Sequence, residues 1–311
     1  MTSGTLARMT FVLLGIGFAL GLLARQSRSL PTGTSDWING FVMNIALPAM
    51  IVLRMHGLEL NRTALVPIAL AWCVILSSAL LVIWLSRRLR WPPNVTGAML
   101  LIVPLGNTAY LGLPLIDAFT DGAALPYAIL YDQIGNFVGV AIYATVIVAI
   151  FSHHSANTSA IAVVKKILLF PPFVAAMIAL ALPAGALPAI ALPPLKLLAT
   201  TMGPMAMIIV GLQLELSVPP TLRRAVAAAC CIKLVLAPLL VAVLALALNL
   251  RGPAVEGALL QSAMPPMITA GLIGMAAGFS RSLIIAVTGI ASVLGIISLP
   301  LVFYIAAWFG G

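Results

Sequence analysis

Gly97-Ala-Met-Leu-Leu-Ile-Val-Pro104-Leu-Gly106-Asn107-Thr108-Ala-Tyr-Leu-Gly112-Leu-Pro114 is an apolar stretch with a proline, a glycine and an asparagine at its centre. The second half of the chain holds a counterpart, Gly257-Ala-Leu-Leu-Gln261-Ser-Ala-Met-Pro265-Pro266-Met-Ile-Thr269-Ala-Gly271. Both open on Gly-Ala-x-Leu, and both meet a proline about two helical turns later. Proline removes a helix hydrogen bond and clashes with the preceding turn, so both helices are expected to break. In a bilayer the freed backbone groups must face protein, water or a ligand rather than lipid. Paired broken helices at matching places in two halves point to a transporter's substrate site near the midplane.

The rest of the chain fits a membrane. Of 311 residues, 62% are hydrophobic and only 7% are charged, and the mean hydropathy is +1.18. A water-soluble domain of this size has no polar surface to spare on that composition. Ten apolar segments are long enough, or nearly so, to span a bilayer: 9–24, 37–54, 64–86, 97–118, 123–151, 165–182, 186–212, 222–249, 254–278 and 282–308. The fold class expected is an all-α polytopic membrane protein. The first segment, with Arg8 ahead of it, also fits a signal peptide, but no clear small-x-small site precedes Arg25.

The net charge of +9 sorts by loop. Loops after odd-numbered segments hold Arg25, Arg28, Arg87, Arg88, Arg90, Lys165, Lys166, Arg223, Arg224 and Arg281; the other side holds Arg8, Arg54, Arg62, Lys196 and Arg251. The richer side is expected in the cytoplasm, with both termini outside. The lipid bilayer is therefore the partner implied, and a nucleic-acid partner is not expected. Cys73, Cys230 and Cys231 fall inside spans and read as small packing residues. His153 and His154 read as loop residues, and Arg54, His56, Glu59 and Arg62 as interfacial ones. No metal site, cofactor or enzymatic motif is expected.

A repeat underlies the two halves. Pro48 precedes Glu59 by eleven residues, and Pro204 precedes Glu215 by the same distance, an offset of 156. The Gly-Ala-x-Leu pair gives 160. Five spans per copy is odd, so the second copy enters from the opposite side. The halves are 1–151 and 165–311, joined by a short linker, 152–164.

Site candidates follow from the breaks. Asn107 can donate and accept in the gap beside Pro104, Gly106 and Thr108. Half-helices starting after a break present free N–H groups that favour an anion. Gln261, Pro265, Pro266 and Thr269 belong to the second break, with Ser262 beside them. Asp132 and Lys233 lie about 14 Å inside their spans, where an unpaired charge is costly. They read as a mutual ion pair, or as separate groups: Asp132, beside Gln133, for a proton or cation, and Lys233 to attract an anion.

The strings Pro104-Leu-Gly-Asn-Thr-Ala-Tyr-Leu-Gly-Leu-Pro114, Tyr127-Ala-Ile-Leu-Tyr-Asp-Gln-Ile-Gly-Asn136, Asn44-Ile-Ala-Leu-Pro48-Ala and Ala263-Met-Pro-Pro266 resemble the auxin efflux carrier family, in order and over essentially the whole chain. The chain is thus similar to a bacterial-type member of the bile/arsenite/riboflavin-type transporter superfamily. The resemblance implies a scaffold from spans 1, 2, 6 and 7 and a transport domain from 3–5 and 8–10, with spans 4 and 9 crossing at their breaks. It implies an elevator carrier of carboxylates such as malate, malonate or auxin-like acids, with the carboxylate bound beside Asn107, in the inner membrane and as a homodimer. Coupling to protons or sodium stays open. A sodium-coupled bile-acid-type carrier and a sensor built on the carrier fold are the alternatives. Two features depart from the family: no long central loop is present, and the offset of 160 places Met267, Ile268 and Thr269 opposite Asn107, Thr108 and Ala109.

Overall fold

The computed structural model describes residues 3–27, 31, 33–152 and 160–310. His153, His154 and Arg28 lie outside them. The described residues are helical, with no named strand and one isolated β-bridge.

Each apolar segment forms a helix or a pair of helices. They are α1 (Ser3–Ser27), α2 (Thr34–Phe41), α3 (Leu47–Met55) and α4 (Arg62–Leu89); α5 (Pro93–Ile102), α6 (Leu113–Phe119), α7 (Leu125–Leu130) and α8 (Thr145–Phe151). The second half has α9 (Ala160–Leu168), α10 (Pro171–Ala181), α11 (Leu192–Gln213), α12 (Arg223–Cys231), α13 (Ala237–Ala247), α14 (Pro253–Ser262), α15 (Ile268–Ala276) and α16 (Arg281–Gly310). Among the described residues, six helical units are long and apolar enough to cross a membrane: 34–55, 62–89, 125–151, 189–213, 220–247 and 281–310. The pair α9 and α10, bent by 63°, makes a seventh if it is one span.

Several units are continuous only because π-helical turns splice their parts. Such turns cover Val42–Ala46, Thr108–Gly112 and Ile232–Leu236, and a proline (Pro48, Pro114, Pro238) follows each by two residues. The carbonyls four residues before these prolines, on Asn44, Tyr110 and Leu234, lack the usual donor. Each is the middle residue of its π turn. One extra residue per turn relieves the ring's clash without ending the helix. A longer π stretch at Tyr131–Phe137 and a further π turn at Val140–Ala144 join α7 to α8.

Glycines set the closest approaches. On α1, a Cβ at Gly17 would lie 2.6 Å from Pro204 O, and one at Gly21 would press on Ile208 O; from α11, one at Gly211 would press on Phe18 O. The two backbones touch along a small-residue seam, as membrane helices do. The first segment is therefore a packed helix of the bundle. Elsewhere α3 packs on α10 and α11, and α14 packs on α16, α4 and α7.

Outward faces are apolar. Leu76, Leu80 and Trp84 on α4, Leu239 and Val243 on α13, and Ile297, Leu301 and Trp308 on α16 are exposed. Faces this apolar suit lipid, not water. Cys73 and Cys231 are exposed on such faces and only Cys230 is buried; all three are free thiols. Packing thus explains only one of them.

Candidate functional site

The two breaks meet. Between α5 and the π turn at Thr108, residues 103–107 leave the helix; between α14 and α15, residues 263–267 do the same. Gly106 and Pro266 form the antiparallel bridge. Asn107 N–H donates to Pro265 O at 2.7 Å, and Met267 N–H donates to Leu105 O at 2.9 Å. Proline fits at 265 and 266 because neither position is asked to donate here; only their carbonyls are. Every pair joins a residue to one about 160 further on, so the sequence offset reappears as a local two-fold arrangement.

Buried polar side chains surround this bridge. Asn107, Thr108, Asp132, Gln133, Asn136, Lys233, Gln261 and Ser262 are each at most 3% exposed. Asn136 clamps the break: Gly106 N–H donates to its Oδ1 at 3.1 Å, and its Nδ2 donates to Gly106 O at 2.6 Å and to Thr108 Oγ1 at 2.8 Å. The amide thus does on one edge of Gly106 what a neighbouring strand would do. Thr108 Oγ1 donates to Asp132 Oδ1 at 2.5 Å, and Gln133 Nε2 donates to Asp132 Oδ2 at 2.7 Å. One turn of helix separates Asp132 from Asn136, which puts both on the face turned to the break. Asn136 appears within a motif in the sequence, but nothing there marks it as the residue that holds Gly106; that requires knowing where 106 and 136 meet.

Asn107 caps the π turn through its backbone: its carbonyl accepts from Leu111 N–H and Gly112 N–H at 3.3 and 3.2 Å. Its side-chain amide has no hydrogen-bond partner among the described residues. On the other side, Gln261 Nε2 donates to Ala128 O at 3.1 Å, and a Cβ at Gly112 would collide with Gln261 Oε1. Gly112 is therefore small so that Gln261 can lie across it.

Lys233 reaches the bridge from the π turn before α13. A Cβ on Gly106 would lie 3.1 Å from its Nζ. It makes no ion pair with Asp132 within 4.0 Å, since both oxygens of that carboxylate face Thr108 and Gln133. Thr269 is exposed on α15 and takes no part in the buried network. Pro104, Pro265 and Pro266 are buried at the break itself.

Two cavities between helices are lined by neither Asn107 nor Lys233. One, of about 390 Å³, lies between α3, α6 and α11 and is lined by Arg54, Asp117 and Lys196. Arg54 Nη2 lies 2.8 Å from Asp117 Oδ1, so this arginine, expected at the headgroups, turns to an acidic partner on another helix. The other, of about 240 Å³, lies between α1, α11, α15 and α16 and is lined by Arg25, Glu215 and Arg281. Among the described residues no cluster of three or more His, Cys, Asp or Glu side chains is placed to hold a metal ion.

Broken apolar helices paired around a buried polar knot are the mark of a membrane transporter, and the comparison with known families agrees. A family model described as membrane transport protein matches residues 8–303, and the chain belongs to this auxin efflux carrier / membrane transport protein family. No curated protein matches the chain.

Proposed function

We propose that this membrane transporter carries small organic anions, carboxylates such as malate, malonate or auxin-like acids, by elevator-type alternating access. The pairing of the two breaks around the unpartnered Asn107 amide is the observation that carries the reading. Two half-helices, starting at Thr108 and Ile268, direct their free N–H ends into the knot, where a carboxylate is favoured. Asn107, Pro104, Gly106, Thr108, Pro265, Pro266 and Gln261 frame the substrate. Thr269 is the remaining member of this set, and it is exposed on α15 in this conformation. Asp132, Gln133 and Lys233 are the coupling or gating group.

The architecture proposed is ten spans in two inverted five-helix repeats, 1–151 and 165–311, with scaffold spans 1, 2, 6 and 7 and transport spans 3–5 and 8–10. Contacts between segment ends support it. Arg25 pairs with Glu215 at 3.8 Å, Ser280 N–H bonds Asn94 O at 3.1 Å, and Ser152 Oγ bonds Ala277 O at 2.9 Å. Arg54 pairs with Asp117, Gly57 N–H bonds Leu182 O at 3.1 Å, and Gly252 N–H bonds Phe309 O at 2.7 Å. The first group joins ends of odd-numbered spans, the second ends of even-numbered ones, as alternation requires. The helix contacts are also mutual images: α1 on α11 becomes α10 on α3 when the halves are exchanged. With the basic excess on the first side, that side is cytoplasmic in a bacterial inner membrane and both termini are periplasmic. A homodimer through the scaffold completes the proposal.

The test is uptake of radiolabelled malate, malonate and indole-3-acetate into proteoliposomes by wild type and Asn107→Ala. The variant is expected to insert and fold but to lose transport. Normal uptake by it sinks the crossover assignment.

A further inference from the structure

We infer that the ammonium group of Lys233 is the resident cation of the crossover, a charge carried by the chain itself that faces the substrate carboxylate and makes a bound sodium ion unnecessary. The inference rests on the anion-carrier reading above and identifies what neutralises the anion.

Three observations carry it. First, Lys233 is 1% exposed, fully inside the fold, yet has neither a hydrogen-bond acceptor nor a carboxylate partner among the described residues. A buried cation left so is expensive, and a structural lysine would be paired. Second, its Nζ lies against Gly106, the residue on which the bridge is centred. Any Cβ there would crowd it at 3.1 Å, so the glycine leaves space where the ammonium meets the break. Third, several of the oxygens around the break that could ligate an alkali cation already accept hydrogen bonds. Leu105 O receives Met267 N–H, Pro265 O receives Asn107 N–H, and Asn107 O receives two backbone N–H groups. Gly106 O receives Asn136, and the Asp132 oxygens receive Thr108 and Gln133. A hard cation needs about six oxygens free to turn toward it. Among the buried side chains of this knot Gln133 Oε1 and Gln261 Oε1 and the Asn107 amide oxygen are without a donor, fewer than such a shell takes, and the ammonium lies beside Gly106. Lys233 and the Asn107 amide are then a charge and a hydrogen-bond donor without internal partners, and a carboxylate satisfies both.

Lys233 and the Thr108 methyl both lie against the Gly106 position, and among the described residues no carboxylate oxygen is within 4.0 Å of the Lys233 Nζ.

The experiment is binding of malonate, malate and indole-3-acetate to the purified full chain, read as thermal stabilisation in sodium buffer and in choline buffer of equal ionic strength. Wild type, Lys233→Gln and Lys233→Arg are compared. The expected result is equal stabilisation of wild type in both buffers, with about tenfold or weaker binding by Lys233→Gln and partial retention by Lys233→Arg. Carboxylate binding by wild type that requires sodium overturns the inference and needs no variant. So does unchanged affinity in Lys233→Gln. If no carboxylate stabilises wild type in either buffer, the anion-carrier reading falls and this inference falls with it. Binding by wild type with either of the first two failures removes Lys233 alone.

Discussion

At the scale of single residues, the knot depends on groups that satisfy the backbone rather than on groups that look chemical. Asn136 supplies both hydrogen bonds that a strand would give Gly106. Asn136→Ala strands the buried Gly106 N–H and leaves its carbonyl only the long 3.4 Å bond from Thr108 Oγ1; an unmet buried group costs about 1–3 kcal/mol. The expected outcome is a lower melting temperature and uptake reduced about tenfold or more, whereas Asn136→Gln, which can reach only with distortion, falls between. Wild-type uptake and stability in Asn136→Ala would remove the clamp from the mechanism. Gly106 and Gly112 matter for the space they leave: one accommodates the Lys233 ammonium, the other the Gln261 carboxamide.

At the scale of elements, proline does two different jobs. In the breaks, Pro104, Pro265 and Pro266 help to end a helix. Two residues beyond a π turn, Pro48, Pro114 and Pro238 only widen it. The difference has a consequence for Lys233, which sits within the turn before Pro238. With proline replaced by alanine the missing N–H returns and the turn can tighten to α. Losing one residue from the turn rotates α12 by about 100° relative to α13. Pro238→Ala is therefore expected to keep its helix content and remain folded while losing most uptake, as Lys233 turns from Gly106. Circular dichroism beside proteoliposome uptake checks both halves of that expectation; full uptake means that neighbouring helices, not the proline, hold the wide turn.

At the scale of the whole molecule, the two faces of the membrane should be distinguishable by labelling. In a background without Cys73, Cys230 and Cys231, single cysteines at Asn94 and Glu215 are expected to react with an impermeant maleimide from the cytoplasmic face. Cysteines at Glu59 and Arg251 are expected to react from the other. Glu59 and Glu215 hold equivalent places eleven residues beyond Pro48 and Pro204, so labelling of both from one face ends the inverted arrangement. One cavity is lined by Arg54 and Asp117 and the other by Arg25 and Glu215. The Arg54–Asp117 pair joins α3 to α6, that is, a proposed scaffold span to a proposed moving one, so a slide between the domains must break it.

The ten apolar stretches, their interruption at Pro104 and Pro265, and the offset near 160 are all properties of the sequence, because hydrophobic length, proline and glycine act locally on a chain in lipid. Asn107 is legible for the same reason: it stands alone in an apolar run. What only tertiary structure decided is who meets whom. Asn136 on Gly106, Arg54 on Asp117 and Lys233 without Asp132 are contacts between residues 30 or more positions apart, set by how helices pack rather than by any local pattern. Thr269 shows the same limit, since its place opposite Ala109 in the repeat leaves open which face of α15 carries it. The π turns also escape a local reading: a proline in an apolar run says that a hydrogen bond is missing, and only the packing around it decides whether the helix breaks, bends or widens.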